Sequence, residues 1–181
     1  MARRVGVVVL AAGEATRFGS AKQALLLPDV LRALSEVTEE LAEVVVVEGA
    51  HPLEEGLRNT VLPGLPPLRL VACAEWARGP GGSLRCGLAA LGDQAEAALV
   101  VLADGPELDP RAVDRVVASW RAGRGDLLAA SYDGTRDHPL LLGRPLWGDV
   151  PNEGLRTREP LLVACDDLRP PGDVDRPEDL P

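Results

Sequence analysis

Three runs of almost uninterrupted apolar residues constrain the fold of this 181-residue chain more than any other feature. They cover residues 5–10, 43–48 and 97–103, and each is followed closely by a Gly or an Asp. A half-exposed strand alternates apolar and polar side chains, whereas a strand buried on both faces is apolar throughout. The three runs therefore predict central strands of a mostly parallel sheet with helices on both faces.

Amphipathic segments between these runs predict the helices. Residues 29–42 carry one apolar face, Ser83 is expected to N-cap a second helix, and Asp109 is expected to N-cap a third. Further strands are predicted at residues 68–73, 127–131, 139–142 and 160–165, and one of the last two is expected to be antiparallel. Together these elements predict a single domain over residues 1–181 with the α/β fold class, a three-layer α/β/α Rossmann-like sandwich.

Charge and cysteine content exclude several kinds of partner. The net charge is −9, which disfavours binding to nucleic acid or to an anionic membrane surface. No apolar run approaches the roughly 18 residues of a membrane span. The three cysteines show no metal-ligand or disulfide spacing, so Cys86 and Cys165 are expected to be core residues, and the expected location is a reducing cytoplasm.

The loop after the first predicted strand combines small residues with two cations. Leu10-Ala11-Ala12-Gly13 ends the strand, and Arg17 and Lys22 follow. Small side chains let backbone N–H groups approach a phosphate, and the two cations supply countercharge. The sequence contains one Lys, Lys22, and eighteen Arg. This composition indicates that Lys22 lies at a site where the larger, forked guanidinium of Arg would not replace an ammonium. A glycine turn with two solvated cations explains the pattern about as well.

Carboxylates follow at two places that suit a metal ion. Asp104 ends the strand predicted over residues 97–103, and oxygen ligands beside a triphosphate suit Mg²⁺. Asp173 and Asp175 lie on one face if their segment is extended, so they are candidates for a second ligand. The alternatives are a simple turn at Asp104 and a solvated acidic tail.

Two further positions are candidates for substrate contacts. The glycine-rich segment 76–82 leads towards a helix start at which Gly82 and Ser83 are placed to meet an anion or the polar edge of a nucleotide. His138 precedes a predicted strand and is a candidate for orienting the substrate, although a lone loop histidine is more often neither ligand nor base. His51 is assigned no role.

Five motifs in this order resemble those of the MobA/MocA-like nucleotidyltransferases, over nearly the whole chain. They are Leu-Ala-Ala-Gly-x-x-x-Arg-Phe-Gly-x-x-Lys, Trp-x-x-Gly-x-x-x-Ser-Leu-Arg-x-Gly-Leu, Leu-Ala-Asp-x-Pro, His-Pro and Asp-Val-Asp-x-Pro-Glu-Asp-Leu. The Ser-Leu-Arg and His-Pro elements look more like the cytidylyltransferase branch, which joins CMP to molybdopterin, than the guanylyltransferase branch.

The resemblance implies a nucleotide-diphospho-sugar transferase-like fold, a nucleoside triphosphate with CTP ahead of GTP, Mg²⁺, and a phosphorylated acceptor such as molybdopterin. It implies that an acceptor phosphate oxygen attacks the α-phosphorus and that pyrophosphate leaves. By position, it implies the following roles: nucleotide binding by Leu10, Ala11, Ala12, Gly13, Gly82 and Ser83, phosphate binding by Arg17 and Lys22, metal binding by Asp104 with Asp173 or Asp175, and acceptor binding by His138.

Departures from the family pattern keep other functions open. The family commonly has Ser at the position of Ala15 and Gln or Met at the position of Gly105, and a basic turn that usually follows Pro28 is missing. A sugar-phosphate nucleotidyltransferase of the same fold is one alternative. A nucleotide-binding protein without turnover is another, and a purely structural α/β domain is the third.

Overall fold

The three apolar runs form the centre of one sheet in the computed structural model, which describes residues 3–13, 22–53, 57, 62–174 and 178. The strands within these ranges are β1 (Val5–Ala11), β2 (Leu41–Glu48), β3 (Leu68–Ala72), β4 (Ala97–Leu102), β5 (Leu127–Tyr132), β6 (Thr135–Gly143) and β7 (Leu161–Ala164). Their order across the sheet is β3-β2-β1-β4-β6-β5-β7. The strands β1, β2 and β4 are thus interior, as their apolar sequences require.

Strand direction agrees with the prediction of a mostly parallel sheet. The pairs β1–β2, β1–β4, β2–β3 and β5–β7 are parallel, whereas β6 runs antiparallel to both β4 and β5. In β1 the alternate side chains pack on opposite faces, with Val7 in one apolar cluster and Val8 in the other. The sheet therefore has two covered faces.

Three helices cover these faces: α1 (Lys22–Ser35), α2 (Pro80–Ala90) and α3 (Pro110–Arg121). Leu31 of α1 and Val113 of α3 belong to the core on one face, and Leu88 of α2 belongs to the core on the other. This arrangement confirms the three-layer α/β/α sandwich. Within the described ranges, no helix is long and apolar enough to cross a lipid bilayer.

The first helix differs from its predicted range of 29–42 at both ends. It begins at Lys22 and contains Pro28, whose missing N–H leaves one helical hydrogen bond unmade without ending the helix. It ends at Ser35 because the chain turns there: the backbone N–H groups of Thr38 and Glu39 donate to the Asp114 carboxylate at 2.9 and 2.8 Å. This contact with α3 is tertiary, so helical periodicity does not reveal it.

The predicted N-cap at Ser83 is wrong, whereas the one at Asp109 is confirmed. Helix α2 begins four residues earlier, with Gly79 as N-cap and Pro80 in the first helical position. Gly79 has φ 110°, a conformation that favours glycine, and proline suits a helix start. At α3, the Asp109 carboxylate accepts a hydrogen bond from the Arg111 N–H at 2.9 Å.

The expectation that the cysteines form no disulfide is also wrong. Cys73, just after β3, is bonded to Cys86 in α2, with their Cα atoms 5.8 Å apart. A 13-residue separation matches no recognisable motif, and only the packing of α2 beside the end of β3 brings the pair together. Cys165 is a free, buried core residue, as expected. The disulfide removes the argument from cysteine spacing for a reducing compartment.

Candidate active site

The predicted nucleotide loop and the predicted metal ligand lie side by side at one edge of the sheet. Strands β1 and β4 are parallel neighbours, so their carboxyl ends coincide. The Ala103 N–H donates to the Leu10 carbonyl at 3.0 Å and joins the two strand ends just before Gly13 and Asp104. The edge is therefore placed where ligands bind in sheets of this class.

Lys22 contacts two other residues that the sequence predicts for the site, Asp104 and Asp173. Its Nζ lies 2.9 Å from Asp104 Oδ2 and 3.9 Å from Asp173 Oδ1, and it donates to the Val174 carbonyl at 2.6 Å. The Lys22 side chain is 9% exposed, against 22% for Asp104 and 69% for Asp173. A buried cation thus joins α1 to the end of β4 and to the C-terminal segment. We call Lys22, Asp104 and Asp173 the charged cluster.

The backbone fixes Asp173 near Asp104. The Val174 N–H donates to the Asp104 carbonyl at 3.4 Å, and the Glu107 N–H donates to the Pro171 carbonyl at 3.0 Å. A Cβ on Gly105 would lie 3.1 Å from Pro171 Cβ. The C-terminal segment therefore occupies the space that a Gln or Met side chain would need at position 105, which gives this departure from the family pattern a structural reason.

Oxygen atoms around the Lys22 ammonium suit a divalent cation. Asp104, Asp173 and the Val174 carbonyl all face one point, and carboxylate and carbonyl oxygens are the ligands that Mg²⁺ accepts. Among the residues that the structure describes, no group of three or more His, Cys, Asp or Glu side chains is arranged around a common metal position. An ion at Asp104 and Asp173 would therefore need further oxygens from a ligand, such as phosphates.

Gln23, which the sequence analysis overlooked, supports the nucleotide loop. Its Nε2 donates to the Gly13 carbonyl at 3.2 Å, and a Cβ on Gly13 would lie 3.2 Å from the same nitrogen. Gln23 is 5% exposed, and its Oε1 has no hydrogen-bond partner among the described residues. Ala11 and Ala12 are also buried. The only sequence signal for Gln23 is its position beside Lys22.

The start of α2 is held by close backbone contacts. The Gly81 N–H donates to the Asn152 carbonyl at 2.9 Å, and the Gly82 N–H donates to the Gly79 carbonyl at 3.0 Å. A Cβ on Gly81 would lie 1.7 Å from the Pro151 oxygen, so only glycine fits there. Both N–H groups are therefore engaged within the protein. Ser83 is buried at 6% exposure inside the helix.

A cavity of about 330 Å³ lies between α2 and β6, next to the strand edge. Its apolar wall includes Leu10 and Leu84, and its polar rim includes Arg136, His138 and Arg156. The Arg136 guanidinium donates to the carbonyls of Leu155 and Arg158 at 2.9 and 2.7 Å. Burial lowers the pKa of Arg136. Arg136 thus ties the 155–158 loop to the cavity, a role that its sequence context does not indicate.

His138 lies between this cavity and the charged cluster. It also lines a smaller cavity together with Gly105 and Gly172, which are neighbours of Asp104 and Asp173 in the chain. Its Nδ1 is 3.5 Å from Asp137 Oδ1, and its peptide bond to Pro139 is cis. Burial alone would raise the pKa of the Asp137 carboxyl, but hydrogen bonds from the His138 ring and N–H lower it. The sequence identified His138 but not the cavity around it.

Two of the predicted site residues cannot be placed. Arg17, predicted to bind phosphate, and Asp175, the alternative to Asp173 as metal ligand, lie outside the described residues. The structure thus brings Lys22, Asp104 and Asp173 together and sets Gly13 nearby. His138 lines the cavity between α2 and β6, whereas Ser83 is buried within α2.

Several solved structures share this fold over nearly the whole chain. The crystal structure of Rv0371c from Mycobacterium tuberculosis H37Rv has a TM-score of 0.77 at 24% identity, with 99% of this chain and 96% of that chain covered. The Rv0371c complex with manganese has a TM-score of 0.65 at 20% identity, covering 94% and 92%. The 4-diphosphocytidyl-2C-methyl-D-erythritol synthase from Anaerococcus prevotii DSM 20548 has a TM-score of 0.66 at 14% identity, covering 98% and 93%. At these identities the likenesses show the fold.

The family is shown by the sequence itself. No protein with a curated function matches the chain significantly. The model of the MobA-like NTP transferase domain, however, matches residues 7–163, which include most of β1, the three helices and β4. This match covers most of the chain, and the fold agrees with it. The chain therefore belongs to the family of MobA-like NTP transferase domains.

Proposed function

We propose that this protein transfers a nucleoside monophosphate from a nucleoside triphosphate to a phosphorylated acceptor and releases pyrophosphate. We take CTP as the favoured donor, GTP as the next, and molybdopterin as the acceptor. The observation that carries this proposal is the convergence of Lys22, Asp104 and Asp173 beside Gly13. A cation and two carboxylates at the carboxyl ends of parallel strands are the groups that a metal-bound triphosphate requires.

The nucleotide would lie along the edge from β1 to α2. The backbone of Leu10, Ala11, Ala12 and Gly13 would line one side, and Gly82 and Ser83 would approach the base. Lys22 would neutralise the phosphates, assisted by Arg17. Because the Lys22 ammonium lies 2.9 Å from Asp104, it would stand between this carboxylate and the phosphates of a bound nucleotide.

Mg²⁺ would be held by Asp104 and Asp173 together with phosphate oxygens. When bound, Mg²⁺ neutralises charge on the triphosphate and polarises the α-phosphate. The Rv0371c complex with manganese supports a divalent cation in proteins of this fold. The name 4-diphosphocytidyl-2C-methyl-D-erythritol synthase, carried by another protein of this fold, supports a cytidyl donor.

The acceptor would enter the cavity between α2 and β6, with His138 at its inner wall. An acceptor phosphate is already ionised at neutral pH, so the reaction needs no strong base. Its oxygen attacks the α-phosphorus, the bond from that phosphorus to the bridging oxygen breaks, and pyrophosphate leaves. His138 then orients the acceptor, and catalysis depends on positioning and charge neutralisation.

Thermal unfolding with Mg²⁺ and each of CTP, GTP, ATP and UTP tests the nucleotide part of this proposal. A ligand at about a hundred times its Kd adds about 2.7 kcal/mol, or roughly 5–10 °C for a domain of this size. We expect the largest shift with CTP, and we expect Asp104→Asn to reduce it. Asp93→Asn is the matched control, because Asp93 is fully exposed on another loop.

Either of two results would redirect the proposal. A larger shift with GTP would assign the guanylyl donor. The absence of any shift with all four nucleotides would contradict the function proposed here.

A further inference from the structure

The disulfide closes the segment that contains a proposed nucleotide contact. Cys73 follows β3 directly and Cys86 lies in the second turn of α2. Between them lie the short helix Trp76–Arg78 and the first turn of α2 with Gly82 and Ser83. The whole Trp-x-x-Gly-x-x-x-Ser motif thus lies within one covalent loop.

The sheet anchors one end of this loop firmly. The Cys73 N–H donates to the Glu48 carbonyl at 2.8 Å, and Cys73 is 3% exposed. Its Sγ lies 3.6 Å from the Gly82 carbonyl oxygen. The sulfur that forms the disulfide is therefore in contact with the backbone that we assign to the nucleotide. A change at this sulfur acts directly on that backbone.

The rest of the loop packs through backbone contacts that tolerate little displacement. The Gly81 N–H is bonded to the Asn152 carbonyl at 2.9 Å. A Cβ on Gly82 would lie 2.3 Å from the Glu75 carbonyl oxygen. Trp76 also packs against the core beneath α2, and Glu75 pairs with Arg85 at 3.3 Å. Among the described contacts of this segment the disulfide is the covalent restraint, and Arg78 at the tip is largely exposed. Loss of the disulfide would leave non-covalent contacts alone to hold the segment.

We propose that Cys73 and Cys86 form a site of reversible oxidation, and that the disulfide holds Gly82 and Ser83 in the geometry with high affinity for nucleotide. This inference rests on the proposed function for its nucleotide, but not for the redox chemistry. Breaking the bond allows residues 74–79 to sample other conformations. Nucleotide binding must then order them again, at a cost in affinity.

The chemistry is thiol–disulfide exchange with a dithiol reductant. Cys86 is partly exposed whereas Cys73 is buried, so a thiolate of the reductant attacks Cys86 Sγ. The S–S bond breaks, and Cys73 leaves as a thiolate and takes up a proton. The second thiol of the reductant then displaces Cys86, which also takes up a proton. The protein gains two electrons and two protons, and the reductant becomes a disulfide.

Thiol counting and proteolysis test the site without nucleotide. The full chain purified without reductant should show one titratable thiol after denaturation, that of Cys165, and three after treatment with dithiothreitol. Reduction should also accelerate trypsin cleavage after Arg78, whose side chain is 66% exposed. Three free thiols in the untreated protein would overturn the proposal.

Calorimetric titration with CTP and Mg²⁺ tests the effect on affinity. We expect reduction to weaken binding by about tenfold, the scale of ordering a few side chains. The double variant Cys73→Ala, Cys86→Ala should bind like the reduced protein and ignore dithiothreitol. Cys165→Ala, the matched control, should respond like the wild type. Equal affinity with and without the disulfide overturns this inference alone, whereas an intact disulfide with no nucleotide binding in either state contradicts the proposed function.

Discussion

The Lys22 ammonium lies between the two carboxylates that a divalent cation would use. It is 2.9 Å from Asp104 and 3.9 Å from Asp173. The sequence predicted these residues at one site, because strand ends, a lone Lys and an acidic pair each point to phosphate or metal chemistry. It could not predict that they would pair with one another, because this distance depends on where α1 begins and on how the C-terminal segment returns to Asp104.

The affinity for Mn²⁺ tests whether the Lys22 ammonium and a divalent cation compete for the same two carboxylates. We expect Lys22→Met to bind Mn²⁺ at least about tenfold more tightly than the wild type in the absence of nucleotide, because a positive charge beside both carboxylates is removed. Electron paramagnetic resonance of free Mn²⁺ gives the affinity directly. Adding Asp104→Asn to Lys22→Met should abolish the gain. Unchanged or weaker Mn²⁺ binding in Lys22→Met would show that the ammonium does not occupy the ion's position.

Steady-state turnover should distinguish the role of Lys22 in catalysis from that of His138. Lys22→Ala removes charge neutralisation in the transition state and should lower kcat by about a hundredfold or more. His138→Ala removes an orienting group and should cost less than about tenfold, mainly in KM for the acceptor. Steady-state rates of pyrophosphate release provide the comparison. Equal losses of kcat would give His138 a part in proton transfer and overturn this ranking.

At the scale of elements, continuous apolar runs were the reliable signal. They predicted β1 and β4 because a strand buried on both faces has no alternative environment. Helix ends were less predictable. Helix α1 runs through Pro28, and it ends shortly before the Thr38 N–H donates a hydrogen bond to the Asp114 carboxylate. The start of α2 depends on Gly79 and on contacts with Asn152, neither of which a local pattern encodes.

The contact between α2 and the sheet depends on a glycine. A Cβ on Gly87 would lie 2.3 Å from Val8 Cγ1, inside the core. We expect Gly87→Ala to lower the free energy of unfolding by about 1–3 kcal/mol, although alanine favours helices. Ala89→Ser, exposed on the same helix, should change it by less than about 0.5 kcal/mol. Urea denaturation measures both, and a stabilised Gly87→Ala would contradict this packing.

At the scale of the whole molecule, the chain has a net charge of −9. Carboxylates that pair with arginines in the folded protein contribute to the dependence of its stability on acid pH. A hydrogen bond from Arg115 lowers the pKa of Asp167 to about 2. A hydrogen bond from Arg111 likewise lowers the pKa of Asp109, against the opposing effect of partial burial. Asp167 joins the segment after β7 to α3, whereas Asp109 caps the start of α3 itself.

Stability should therefore fall as the solution becomes acid. A carboxyl whose folded pKa is depressed stabilises the protein above its unfolded pKa, about 3.9, and this contribution is lost as the pH falls through the folded value. We expect Tm to decrease from pH 5 to pH 3, and Asp109→Asn to show a smaller decrease than the wild type. Parallel decreases in the two proteins would show that Asp109 does not contribute.

Transfer of label from CTP to an acceptor would demonstrate the proposed reaction itself. The protein would be incubated with α-³²P-CTP, Mg²⁺ and molybdopterin, and the products separated by chromatography. We expect label to move to molybdopterin with one pyrophosphate released per transfer, and we expect Asp104→Asn to lose this reaction whereas Asp93→Asn keeps it. Nucleotide binding without transfer of label to the acceptor, or transfer that persists in Asp104→Asn, would show that the proposed reaction or its metal site is wrong.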